Sequence, residues 1–227
     1  MFDHLVAEIG ADPQVVGIVL TGSHARGTAT DRSDIDLCVV THAPRERRRE
    51  KVIDEFSRTP RQLADTSDTY QRYTFRGARV LLDRGGVQPL VDQQATPTPA
   101  EARTWARDNL DGYVNFLYRA AKSQRDGHPT AAALDLAESI PWLLTTVFAL
   151  HGRLRPYNKY LSWELEKFPL GDPWNALPER ASTHPASLFP DVERLARTQG
   201  HADLLDSWGD DLSLIHRSFD PSRRTTR

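Results

Sequence analysis

Two apolar runs, Val15–Leu20 and Leu37–Val40, bracket a polar stretch that leaves this chain little choice of fold. Between them lies Gly22-Ser23-His24-Ala25-Arg26-Gly27, then a Thr- and Asp-rich turn, then Ser33-Asp34-Ile35-Asp36. Short apolar runs bounded by turn residues read as buried strands. Alternate side chains of a strand share a face, so Asp34 and Asp36 point one way while Ile35 and Leu37 point into a core.

Two carboxylates side by side raise each other's pKa and resist ionising together, unless a counter-charge resolves the conflict. Oxygen-only ligands from two Asp suit a hard divalent ion such as Mg²⁺, which keeps waters and takes further ligands from substrate phosphates. The Gly22-Ser23 turn supplies a second element. Glycine lets the backbone come close to a ligand, and the Gly22 amide with the Ser23 hydroxyl can donate hydrogen bonds to phosphate oxygens. Taken alone, a Gly-Ser after a strand is a turn and an Asp-x-Asp is a solvated strand edge. The specificity lies in their order: strand, Gly-Ser, Arg-Gly, Ser-Asp-Ile-Asp, strand.

This stretch resembles the signature of the DNA polymerase β-like nucleotidyltransferase superfamily, a Gly-Ser followed about ten residues later by an Asp-hydrophobic-Asp. Its spelling is most similar to the small-substrate branch, which includes antibiotic nucleotidyltransferases and minimal nucleotidyltransferases. The resemblance implies an α+β protein: an N-terminal nucleotidyltransferase domain with a short mixed β-sheet flanked by helices, then a C-terminal all-helical domain, with the active site in the cleft between them. It implies transfer of a nucleoside monophosphate from a nucleoside triphosphate, with ATP the expected donor, to a hydroxyl of a small acceptor. Asp34 and Asp36 would hold about two Mg²⁺ ions. Gly22, Ser23, Arg26 and Lys159 are the expected nucleotide-binding residues. The superfamily commonly carries a third carboxylate on a later strand, and Asp83 matches by position, although Asp before Arg84-Gly85-Gly86 is also ordinary turn chemistry. Some antibiotic nucleotidyltransferases take their base from the helical half, which singles out Glu138. Two other readings stay open: an antitoxin-like nucleotidyltransferase acting on a protein partner, and a non-catalytic nucleotide-binding relative.

Composition narrows the partners. A formal net charge of −2 over 227 residues provides no broad basic field, so a nucleic-acid partner held by many phosphate contacts is not expected. The single cysteine, Cys38, falls inside the second strand and reads as a small buried hydrophobe. No apolar run approaches a membrane span and Met1-Phe2-Asp3-His4 lacks the pattern of a secretion signal, so a cytoplasmic location without membrane contact is expected. A homodimer is compatible with the resemblance, since related antibiotic-modifying enzymes share sites across subunits.

Along the chain, Phe2, Leu5, Val6 and Ile9 are spaced as a helix ending at Gly10. Ala43-Pro44 opens a second helix with Val52, Ile53 and Phe56 inward, and Arg45, Arg47, Arg48 and Arg49 at its start either attract a nucleotide or form a solvated turn. Tyr70, Tyr73 and Phe75, then Val80 to Asp83, read as a hairpin. Residues 94–99 read as a linker, which divides the chain into a domain over 1–97, a helical domain over 98–219 and a flexible tail over 220–227. Thr98 is the expected N-cap of the next helix, with Pro99 at its first position and Glu101 completing a capping box. A helix from about Pro129 to His151 contains Pro141, which predicts a kink beside Glu138: a carboxylate among apolar neighbours suits a catalytic base, and at ordinary spacing it is a surface residue. Arg153, Arg155 and Lys159 fall in a segment resembling an Arg-Pro-x-x-Lys-x-Leu loop of such transferases, where they would neutralise a triphosphate. Segments 162–168, 173–177 and 190–198 predict short helices, and His201 to Phe219 a last, longer one. Trp142, Trp163, Trp174 and Trp208 are spaced as packing residues.

Overall fold

The computed structural model describes residues 2–43 and 45–219. The proposed helix start at Pro44 and the tail over 220–227 lie outside them. By internal contact the chain divides into two compact units, one up to Pro97 and the other from Thr98 on.

The first unit runs α1 (Phe2–Gly10), β1 (Val15–Leu20), α2 (Gly22–Arg26), β2 (Ile35–Thr41), β3 (Arg48–Arg49), β4 (Ile53–Arg58), α3 (Pro60–Ala64), α4 (Thr69–Arg72), β5 (Arg79–Asp83) and α5 (Val87–Ala95). Its sheet has the order β3-β4-β2-β1-β5. It is mixed: β1 runs antiparallel to both β2 and β5, β4 runs parallel to β2, and β3 antiparallel to β4. Strand periodicity sorts the side chains onto two covered faces. Ile18, Leu20, Leu37 and Val39 join Leu5 and Ile9 of α1. Val19, Cys38 and Val40 join Leu63 of α3, Phe75, and Val87 and Val91 of α5. Burial pushes the Cys38 thiol up to about 12, so it stays a neutral core residue.

Three expectations for this unit are corrected. The segment read as a helix from residue 43 forms β3 and β4, because Ile53 packs on the α1 face of the sheet while its backbone pairs with Ile35. Only the second arm of the expected hairpin is a strand: Thr69–Arg72 and Tyr73–Phe75 are helical turns that bury Arg72, Tyr73 and Phe75. The linker is shorter than residues 94–99, since α5 continues to Ala95. The buried Arg72 satisfies its last carbonyls, donating to Gln93 and Gln94, and reaches Thr96 beyond.

The second unit is helical: α6 (Pro99–Arg125), α7 (Pro129–Leu150), α8 (Leu161–Lys167), α9 (Leu177–Thr183), α10 (Phe189–Thr198), α11 (Ala202–Ser207) and α12 (Gly209–Phe219). α6 starts on the capping box, with Glu101 N–H on the Thr98 hydroxyl at 3.2 Å and Thr98 N–H on the Glu101 carboxylate at 2.7 Å. α7 runs through Pro141, and Leu143, Leu144, Val147 and Phe148 share its core with Leu110, Tyr113, Val114 and Leu117 of α6. Contrary to the reading of the apolar runs, α7 is long and apolar enough for a membrane span by length and composition; those buried residues make it a core helix here. The helix expected over 173–177 begins only at Leu177, and the one expected over 201–219 breaks at Trp208-Gly209, where Gly209 has φ 49°.

Candidate active site

The site is built at one end of the sheet. Where β1 ends, Thr21 N–H donates to the Asp36 carbonyl at 2.9 Å, which sets the end of β1 beside the start of β2. The chain then turns through Gly22, whose φ of 65° is left-handed and favours glycine. A second constraint acts at the same residue. A β-carbon on Gly22 would meet Asp36 Oδ2 at 1.8 Å, so the backbone here borders the carboxylate directly.

Because β4 is parallel to β2 and in register with it, Asp54 is the partner of Asp36 and shares its face. Asp34, Asp36 and Asp54 each bring one carboxylate oxygen within 4.8 Å of the others. Asp34 is exposed, and Asp36 and Asp54 are half-buried. The Arg47 guanidinium grips Asp54 with both arms, Nε to Oδ1 at 3.0 Å and an Nη to Oδ2 at 2.7 Å, which holds the Asp54 carboxyl below the usual carboxylate range. Three converging carboxylates, with a backbone pressed against one of them, form an all-oxygen donor set that fits a hard divalent ion.

Residues 5–76 match the model of the nucleotidyltransferase domain family. The matched region contains the glycine turn and all three converging acids. The chain is also similar to the crystal structure of a nucleotidyltransferase-like protein from Exiguobacterium sibiricum 255-15, at 16% identity and a TM-score of 0.48, over 94% of this chain and 76% of the other. No curated protein matches the chain.

Asp83, expected as the third acid, has another role. Since β5 is antiparallel to β1, Asp83 pairs with Gly17 rather than with the end of β1 at Leu20. Its Oδ1 accepts from the N–H groups of Gly85, Gly86 and Val87 at 3.1, 2.8 and 2.9 Å, and its Oδ2 from Gln88 at 2.9 Å. Those amides hold its carboxyl below the usual range and tie it to the start of α5. The third carboxylate converging with Asp34 and Asp36 is that of Asp54. Sequence reasoning missed Asp54 because Val52-Ile53 and Phe56 also fit helical spacing; the adjacent β-branched pair was the available strand signal.

Arg26 also turns inward. It is buried, and its guanidinium donates to the carbonyls of Gly22 and Tyr73, each at 2.9 Å, and of Thr74 at 3.3 Å, while lying 5.2 Å from the Tyr73 ring centre. It therefore clamps the glycine turn to the Tyr73–Phe75 segment. Ser23 is buried on α2, and its carbonyl accepts from Thr28 N–H at 3.0 Å.

In the second unit, Glu138 is exposed on α7. The buried stripe of that helix passes through Ala132, Asp135, Ser139 and Leu143, so Glu138 stands about 100° round from Ser139 and is not enclosed among apolar neighbours. Lys159 is exposed, its ammonium 5.4 Å from the Tyr160 ring centre. Arg153 has a structural partner, pairing with the buried Glu164 and donating to the Phe168 carbonyl at 2.7 Å. Arg155 donates to Asn158 at 2.8 Å.

Proposed function

We propose that this protein is a cytoplasmic, Mg²⁺-dependent enzyme that transfers a nucleoside monophosphate from a nucleoside triphosphate, ATP first among them, to a hydroxyl of a small molecule. The observation that carries this reading is the convergence of Asp34, Asp36 and Asp54 beside Gly22, in a region matching the nucleotidyltransferase domain. In the transfer the acceptor oxygen bonds to the α-phosphorus, the bond from that phosphorus to the bridging oxygen of the β-phosphate breaks, and pyrophosphate leaves as the hydroxyl proton passes to a base. Mg²⁺ bound there would supply charge neutralisation of the triphosphate and acidify the attacking hydroxyl.

The chain's own residues supply position. Asp36 and Asp54, fixed on neighbouring strands, hold their oxygens in register, and Asp34 completes the set from the turn before β2. The Gly22 amide and the Ser23 hydroxyl are the proposed donors to phosphate oxygens. Asp34, the most exposed of the three acids, is open to solvent. Glu138 and Lys159 enter through the family resemblance alone, as base and phosphate partner.

The test is incubation with Mg²⁺, each α-labelled triphosphate in turn and a panel of hydroxylated small molecules, antibiotics included, with pyrophosphate release as the readout. Label transferred to a small molecule, and lost in Asp36→Asn, supports the reading. Label appearing on a protein band would favour the antitoxin-like alternative, and no release with any acceptor would sink catalysis. Glu138→Gln and Lys159→Ala in the same assay decide those two assignments.

A further inference from the structure

The Arg47 guanidinium grips one of the three converging acids, Asp54. The stretch from Arg45 to Arg49 carries four arginines, and three have carboxylate partners: Arg45 pairs with Glu55 at 2.5 Å, Arg48 with Glu50 at 2.7 Å and Arg47 with Asp54. Only the Arg47 partner belongs to the converging group. Arg47 is also the most exposed of those three, with 58% of its side chain accessible against 17% for Asp54, and its charge is felt by Asp36 as well. A fork so placed satisfies one acid without being buried by anything else.

We propose that Arg47 is a displaceable counter-ion: it occupies Asp54 until a divalent cation enters, and then passes its planar fork to the triphosphate. The proposal rests on the metal-dependent transferase reading above. Its physical basis is competition. Ion pairs exposed on one side are weak and easily exchanged, whereas a divalent ion gains from all three carboxylates at once and repels the guanidinium it replaces. A guanidinium released beside a bound triphosphate finds the other partner its geometry suits, since phosphate and carboxylate both accept a bidentate fork. One residue thereby keeps three neighbouring acids tolerable in the absence of the ion and contributes positive charge to the nucleotide in its presence.

The two halves of the exchange have opposite signs, which a merely structural role would not produce. Mn²⁺ binding to the full chain, measured by the electron paramagnetic resonance of the free ion, should tighten about fivefold in Arg47→Ala, the scale of one lost exposed ion pair. Binding of a non-hydrolysable ATP analogue at saturating Mg²⁺, followed by calorimetry, should weaken about tenfold in the same variant, as one charge-assisted contact is lost. Arg47→Lys, a cation without the fork, should fall between parent and alanine on both measures. Arg48→Ala, at an arginine whose partner Glu50 lies outside the acidic group, should move neither, and circular dichroism should report the parental fold for all three. If Asp36→Asn does not abolish Mn²⁺ binding, the metal-site reading itself fails and takes this inference with it. If Asp36→Asn abolishes it but Arg47→Ala leaves either affinity unchanged, or moves both in one direction, the counter-ion role alone is overturned.

Discussion

Gly22 and Asp36 compete for one volume: a β-carbon on Gly22 would stand 1.8 Å from Asp36 Oδ2, far inside any permitted contact. The pair explains why a glycine turn and an acidic strand start occur together. The turn must pass close to the carboxylate, and only a residue without a side chain can do so at φ 65°. Gly22→Ala therefore forces either the backbone or Asp36 out of place. We expect a stability loss of about 1–3 kcal/mol, the cost of a left-handed non-glycine residue, measured by denaturant unfolding. Pyrophosphate release should fall by about 10²-fold or more, because an ångström of displacement at such a site is severe.

Asp54 and Asp83 make opposite predictions although both are aspartates on strands. Asp54→Asn should lower turnover by ~10²–10³ and leave the fold intact, as Asp36→Asn should. Asp83→Asn should leave turnover at the parental level and lower the unfolding midpoint, because its carboxylate gathers four backbone N–H groups at the start of α5. Steady-state assay and thermal melts on the same preparations separate the two.

The Asp83 contribution should also depend on pH with a definite sign. Its carboxyl titrates lower in the folded chain than the unfolded value of about 4, so its stabilisation is fully present above that value and is lost as the pH falls through its depressed folded value. The gap in unfolding midpoint between the parent and Asp83→Asn should be constant near neutrality and close in acid. A gap that widened on acidification would contradict the hydrogen-bond arrangement.

Arg26 is expected to behave as a structural residue. Arg26→Ala removes the charged donor that joins the Gly22 carbonyl to those of Tyr73 and Thr74, and should cost about 2–4 kcal/mol on unfolding, as one to two charged hydrogen bonds would. If Arg26 instead met a phosphate, the loss would appear in nucleotide affinity with stability unchanged.

Arg153 poses the same question in the second unit. Glu164 is 1% exposed, so Arg153→Met removes the guanidinium paired with a buried carboxylate and should destabilise by about 3–5 kcal/mol. Replacing both, as Arg153→Met with Glu164→Gln, should recover much of that loss in a chemical melt. A destabilised single variant rescued by the second change marks the pair as packing rather than nucleotide chemistry.

What could be read from the sequence was local. Val15–Leu20 and Leu37–Val40 alternate between two covered faces, and that period alone puts Asp34 and Asp36 at a strand start. Thr98, Pro99 and Glu101 specify a helix start within four consecutive residues, and the structure forms it as written. Roles that depend on distant partners were not legible. Arg26, inside the signature stretch, is turned inward by carbonyls more than forty residues away. Ile53 fits a helix by spacing and lies in a strand because the sheet gives its backbone a partner in Ile35.

The sequence by itself determined the pair of acids, the glycine turn before them and the strands that carry them, because each follows from spacing along a few residues. Only the tertiary structure decided which third acid joins them. A parallel register brings Asp54 level with Asp36, an antiparallel one sets Asp83 beside Gly17, and strand direction is a property of pairing that no single segment contains.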